Sequence, residues 1–135
     1  MPYYIYLRRK TKIKMINQNQ EKNQTKYIDF HCHTLYSDGI DSPKNLLKAQ
    51  KLVGLDIIAI TDHDNLLGYW EAKKSAEEWG ITLIPGVEFS AGKYHILGLN
   101  FNPENPKILE TIEKSKYLQR ENTRRRTEIL VGSSV

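Results

Sequence analysis

The sequence predicts an α/β fold with parallel strands whose carboxyl ends carry the chemistry. Short apolar β-type segments at residues 27–31, 55–61, 82–88 and 94–99 alternate with helical stretches. Their apolar runs are nearly continuous, as in Ile57, Ile58, Ala59 and Ile60, which marks strands covered on both faces. Ionisable residues follow where these runs stop, at the sheet edge where ligand sites gather in α/β folds.

The elements between them are punctuated. Ser42 is placed to cap a first helix, Pro43 suits its first position, and Gly54 ends it. Leu46, Ala49 and Val53 fall on one face of that helix at i, i+3 and i+7. A second helix is expected from about residue 68 to 79, with Tyr69, Ala72, Ala76 and Trp79 on one side and Gly80 as its stop. A third begins at Asn105 and Pro106 and runs past Leu118 into an Arg-rich segment. The third and fourth β-type segments are separated by a few residues around 90–93, which suits a hairpin. The βαβ arrangement before it implies a right-handed parallel crossover.

The 135 residues suffice for one domain with a hydrophobic core. At 39% hydrophobic and 27% charged, the composition excludes a disordered chain. The single cysteine, Cys32, excludes an internal disulfide framework and fits a cytoplasmic protein. No apolar run approaches membrane-spanning length, so no membrane partner is expected. Residues 1–26 hold seven Lys/Arg against one acid, Glu21, so the formal charge of +4 is +6 in this leader and −2 beyond it. The leader reads as a disordered basic tail, or as an over-extended gene start with Met15 as initiator; a nucleic-acid-binding arm is the rival reading. The expected organisation is a basic polar leader over 1–26, one partial domain over 27–131, and a tail over 132–135.

The chemistry begins at Asp29-Phe30-His31-Cys32-His33-Thr34, followed by Ser37-Asp38-Gly39. On an extended chain Asp29, His31 and His33 share a face and Cys32 points the other way, as a packed thiol. Two imidazoles at i, i+2 can bind one metal ion; alone, the pair weighs evenly against a stray surface pair. Thr61-Asp62-His63-Asp64 follows an apolar strand, and turn-and-cap chemistry is its bland alternative. Pro85-Gly86-Val87-Glu88-Phe89-Ser90 ends the next strand, where a carboxylate can bridge two ions. His95, in a fourth strand, would alone read as a satisfied structural histidine. Taken as a set, three consecutive strands deliver metal-type ligands to one edge and the fourth adds a histidine. That pattern predicts a metal site.

These motifs, DFHCHT–SDG, TDHD, PGVEFS and HILGL, resemble the successive motifs of the PHP (polymerase and histidinol phosphatase) domain family over roughly residues 26–128. The resemblance is to stand-alone PHP phosphoesterases, which include nucleotide 3′,5′-bisphosphate phosphatases and 5′–3′ exonucleases. It implies the N-terminal half of a distorted (β/α)7 TIM-like barrel with up to three divalent ions at its mouth. By that resemblance His31, His33 and Glu88 hold one metal, Glu88 and His95 contribute to a second, and Asp38 and His63 hold a third. Asp29, Asp62 and Asp64 look like residues that orient the imidazoles. The implied reaction is hydrolysis of phosphate mono- or diesters of nucleotides or short nucleic acid by a metal-bound hydroxide, with no protein nucleophile. Imidazole-plus-carboxylate ligands suit Mn, Fe or Zn, with Mg less favoured.

Arg120 and Arg124, in a segment that continues with Arg125 and Arg126, are candidates to grip a substrate phosphate. A solvated helix face, with Glu121 pairing Arg125, is their bland reading. The family's later ligands, another histidine and a final Asp-x-His, are missing from this sequence, and a full barrel of the related kind takes on the order of 250 residues. Three readings follow: a fragment, a chain completed by a second copy or a second polypeptide, or a non-catalytic metal- or nucleotide-binding half-barrel. Histidinol-phosphatase and amidohydrolase chemistries are the rival enzyme readings.

Overall fold

The computed structural model describes residues 11–14 and 25–132. Five strands form one sheet in chain order: β1 (Thr11–Lys14), β2 (Thr25–Cys32), β3 (Ile57–Ile60), β4 (Thr82–Ala91) and β5 (Tyr94–Leu99). Helix α1 (Pro43–Leu52) links β2 to β3, α2 (Leu67–Glu78) links β3 to β4, and α3 (Pro106–Gly132) follows β5. Strands β2, β3 and β4 are parallel, and β5 folds back on β4 as the antiparallel hairpin expected, with Gly92 and Lys93 between the paired Ala91 and Tyr94. Gly92 takes φ +68, a turn conformation that glycine enters without penalty.

Strand β1 departs from the expected unstructured leader. Thr11–Lys14 pairs antiparallel with β2, Thr11 opposite Ile28 and Lys14 opposite Thr25. Ladder hydrogen bonds come from the backbone, so the Thr-Lys-Ile-Lys segment pairs without an apolar run to advertise it. The rest of the leader, Met15 included, and residues 133–135 lie outside the described residues.

Helix α1 starts and stops where the sequence indicates. Ser42 Oγ accepts the Asn45 N–H at 3.3 Å, Pro43 is the first helical residue, and Gly54 leaves at φ +84. Its buried face is offset from the expected one: Pro43, Leu47 and Gln50 are buried, whereas Ala49 and Val53 are exposed and Leu46 is intermediate. Gln50 is the reason. It is polar yet buried, because its Nε2 donates to Asp29 Oδ2 at 3.4 Å, and so it breaks the apolar stripe that marks a core face. Helix α2 buries Tyr69, Ala72 and Ala76 as expected and ends at Gly80, φ +62.

Leu47, Leu55, Ile58, Ile60, Ala72, Ala76, Ile81 and Cys32 form one core between the sheet and helices α1 and α2. Ile58 and Ile60 are fully buried, each stabilising by about 1.5–3 kcal/mol relative to exposure. Ala59, on the opposite face of β3, is equally buried, so this strand is covered on both sides. Leu66, Val87 and Ile112 form a second cluster where α3 docks on β4. Beyond Ser115 the helix is largely exposed, including Tyr117, Ile129, Leu130 and Val131.

Candidate metal centre

The site forms beyond the carboxyl end of β3. The pairing of β2 with β3 slips between Asp29 and Cys32: three steps along β2 match two along β3, from Ile58 to Ile60. Such a bulge re-aims side chains. Asp29 therefore does not share a face with the two histidines, as simple alternation predicts. Its Oδ2 meets Gln50 of α1 and its Oδ1 accepts the His31 N–H at 3.1 Å. Cys32 packs as expected: its Sγ donates to the Ala59 carbonyl at 3.1 Å, and burial, aided by the charge of Asp29, pushes the thiol up to about 12.

Glu88 is the centre of the cluster. Its Oε2 lies 2.9 Å from His31 Nε2, 3.0 Å from His33 Nε2 and 3.9 Å from His63 Nε2, and its Oε1 lies 2.9 Å from His95 Nδ1. The rings form a chain, with centroids 5.0 Å apart for His31–His33, 4.9 Å for His33–His63 and 4.8 Å for His63–His95. Asp38 closes the other side, 3.0 Å from His33 Nδ1 and 3.6 Å from His63 Nε2. All six predicted ligand residues thus come together. They fall into three overlapping groups, His31–His33–Glu88, His33–Asp38–His63 and His63–Glu88–His95, with the potential ligand atoms of each group within 4.8 Å of one another.

Burial opposes the charge of Glu88, but the His31 hydrogen bond and the fields of His63, His31 and His33 outweigh it and hold the carboxyl below its ordinary value. His33 moves the other way from a typical paired imidazole: burial lowers it despite Asp38 and Glu88 nearby. A ring that resists protonation, beside an ionised carboxylate, is what a cation ligand requires. Glu88 is 7% exposed, and each ion-pair partner identified for it is an imidazole. A divalent ion held among these donors would neutralise the Glu88 carboxylate. Nitrogen and oxygen donors in this number fit a divalent metal ion. The buried Nδ1 of His63 has no hydrogen-bond partner among the described residues.

Among the described residues neither aspartate beside His63 bonds an imidazole directly; Asp62 reaches one through Ser37, whose Oγ lies 3.3 Å from His33 Nδ1. Asp62 accepts three bonds from the loop after β2: Thr34 N–H at 2.6 Å, Thr34 Oγ1 at 2.7 Å and Ser37 Oγ at 2.8 Å. Asp64 accepts the Ser90 N–H of β4 at 2.9 Å. Both act on the backbone and hydroxyls that carry the ligands. Thr34, Ser37 and Ser90 were not singled out from the sequence, although all three lie within the motifs quoted. Gly68 was not singled out either. It sits in α2 where a Cβ would collide with Asp62 Oδ2 and approach Thr34 Oγ1 to 2.8 Å.

Arg120 and Arg124 lie on the exposed part of α3. Arg124 is held on its own helix, 3.1 Å from Glu121 and 2.9 Å from Glu128; Glu121 therefore pairs with Arg124 and not with Arg125 as the spacing suggested. No ion pair involves Arg120 among the described residues.

Residues 29–130 match the family model for the PHP domain. The chain belongs to the PHP family. A 5′-3′ exoribonuclease of Haemophilus influenzae is 40% identical over 99 residues, covering 70% of this chain and 36% of that protein. A 3′,5′-nucleoside bisphosphate phosphatase of Chromobacterium violaceum is 35% identical over 85 residues, 60% of this chain and 30% of its own length. The crystal structure of a Bifidobacterium adolescentis protein described as a metal-dependent phosphoesterase superposes with a TM-score of 0.66 at 32% identity, covering 78% of this chain and 38% of that one. The fold is accordingly part of a PHP barrel, and the chain spans about a third of the length of these PHP relatives.

Proposed function

We propose that this chain carries the first set of metal ligands of a PHP phosphoesterase acting on phosphate esters of nucleotides or short oligonucleotides. One observation carries the reading: a nearly buried carboxylate, Glu88, is surrounded by four imidazoles and pairs with no other counter-charge among the described residues. His31, His33 and Glu88, then His63, Glu88 and His95, then His33, Asp38 and His63 are the groups that would hold ions. Mn, Fe or Zn are the ions we favour, from the donor types. Divalent ions bound there supply positive charge for phosphoryl oxygens and lower the pKa of water. The protein's part is to hold the donors together and keep His33 neutral.

The relatives support the substrate class, being named for RNA and for nucleoside bisphosphates. Because this chain covers about a third of them, the activity proposed is that of a completed barrel, whose further strands belong to a longer form of this chain, a second copy or a second polypeptide. Arg120 is the better placed of the two arginines to meet a phosphate, since Glu121 and Glu128 already engage Arg124. No helix among the described residues is long and apolar enough to cross a membrane. We place the protein in the cytoplasm, in line with its buried free thiol.

The test is Mn²⁺-dependent phosphate release from a nucleoside 3′,5′-bisphosphate and from p-nitrophenyl phosphate, with His33→Ala alongside. Turnover that the substitution abolishes supports the phosphoesterase. Metal binding without turnover, alone or as an oligomer, assigns the chain to a fragment or a binding module, with the catalysis residing in the missing part of the barrel.

A further inference from the structure

Glu88 lies beyond the stretch where β3 and β4 pair. That ladder runs from Ile57 opposite Thr82 to Ile60 opposite Pro85 and then stops. On the β3 side, Glu88 is held by the isolated bridge to His63 and by the Asp62–Asp64 segment. The Glu88 N–H reaches the Asp62 carbonyl at 3.3 Å, a long bond. The shorter contacts come from Asp64. Its N–H donates to the Glu88 carbonyl at 3.0 Å, and its Oδ1 accepts the Ser90 N–H at 2.9 Å. One residue thus grips β4 on both sides of Phe89. It does so from a left-handed backbone, φ +49, which aspartate and asparagine tolerate better than most side chains.

Two further features point to a purpose other than packing. Asp64 is 1% exposed, yet its Oδ2 has no hydrogen-bond partner among the described residues, so the carboxylate is kept buried at a cost. The Ser90 carbonyl also accepts Ser115 Oγ at 3.0 Å, so Asp64, Ser90 and Ser115 tie the turn after β3, the end of β4 and α3 into one chain of bonds.

We propose that Asp64 is a positioning residue that fixes Glu88 against His63 before a metal ion binds. This rests on the metal-centre reading above. Asp64 belongs to none of the three potential ligand groups among the described residues; it acts through the backbone of Glu88 and Ser90.

Three substitutions separate its contributions. Asp64→Asn keeps the acceptor and the tolerance for positive φ while removing the charge. Asp64→Gly keeps the backbone conformation and removes the acceptor. Asp64→Ala loses both, and the glycine variant covers the case in which alanine does not fold. Each full chain is titrated with Co²⁺, followed by its visible absorption, beside a thermal melt. Asn is expected to bind Co²⁺ like the unsubstituted chain, with the same band. Gly is expected to bind about 10- to 100-fold more weakly, with an altered band and a melting temperature close to that of Asn. Wild-type affinity in Gly overturns the proposal, and so does an Asn variant as weak as Gly, which would make charge the operative property. Hydrogen exchange at the Ser90 amide, measured without metal, gives a second reading. It is expected to be slow in wild type and Asn and fast in Gly; equal rates in wild type and Gly overturn the clamp. A wild-type chain that binds no Co²⁺ while showing that exchange pattern refutes the metal reading and leaves the clamp standing.

Discussion

His33 Nε2, just past the end of β2, and Glu88 Oε2, in β4, lie 3.0 Å apart although β3 runs between their strands. Strands two places apart in a sheet are separated by about 9–10 Å. The two side chains meet because β3 stops at Ile60, and both reach over its end. His63, which continues the chain from β3, supplies the third ring at that point. Two chemical properties follow from this convergence: competition between protons and metal, and intolerance of any added bulk beneath the loops.

Asp38 faces His33 and His63 but not Glu88, and its side chain is 67% exposed. Asp38→Asn is therefore expected to lower the number of tightly bound ions per chain without abolishing binding at the Glu88 groups. Elemental analysis after dialysis against Zn²⁺ measures this. Loss of all bound metal would show that the three groups bind as a single unit.

Apo-protein stability is expected to fall as the solution is acidified from neutrality. Burial holds His33 below the ordinary imidazole value of 6.5, so the unfolded chain takes up the proton first, and stability is lost as pH falls from that value through the folded one. Glu88, held below the ordinary carboxyl value of 4.5, adds to stability above that pH and loses it as pH falls through its own lowered value. Both groups push in the same direction. Urea midpoints at pH 7.5 and 5.5 check this, and a His33→Gln variant is expected to show a smaller difference between them.

Much of this site was legible because ligand chemistry has few residue types. His31, His33, His63, Glu88 and His95 each sit at a strand end or on a strand, and the apolar runs before them mark the strands. The roles of Asp29, Asp62 and Asp64 were not legible, since a carboxylate beside a histidine in sequence has no stated target. The β2 bulge sends Asp29 to Gln50, and Asp62 and Asp64 reach Thr34 and Ser90 through tertiary contact. The buried face of α1 was misplaced for a related reason: Gln50 is a core residue only because Asp29 is there to receive it. Strand β1 escaped notice because alternating lysines carry no apolar signal, while its pairing is made by backbone.

Cys32 is expected to resist alkylation in the native protein. Its thiol is buried, donates to the Ala59 carbonyl and is pushed up to about 12, so almost none is thiolate at pH 8. Iodoacetamide labelling at pH 8 with and without denaturant reads this directly. Rapid native labelling would mean that the end of β2 opens.

Gly68→Ala is expected to destabilise the fold by about 1–3 kcal/mol and to weaken metal binding, because its Cβ would collide with the Asp62 carboxylate that holds Thr34 and Ser37. Thermal melts and metal titration check the two effects together. Wild-type behaviour in both would show that α2 shifts freely at its start.

The central claim is that Glu88 and its four imidazoles form a divalent-metal site, and calorimetric titration of the full chain with Mn²⁺ and Zn²⁺ beside Glu88→Gln tests it most directly. Saturable binding with proton release, lost or weakened about 10-fold or more in Glu88→Gln, is the predicted result. Absence of binding in the unsubstituted chain, or affinity unchanged by the substitution, would contradict it.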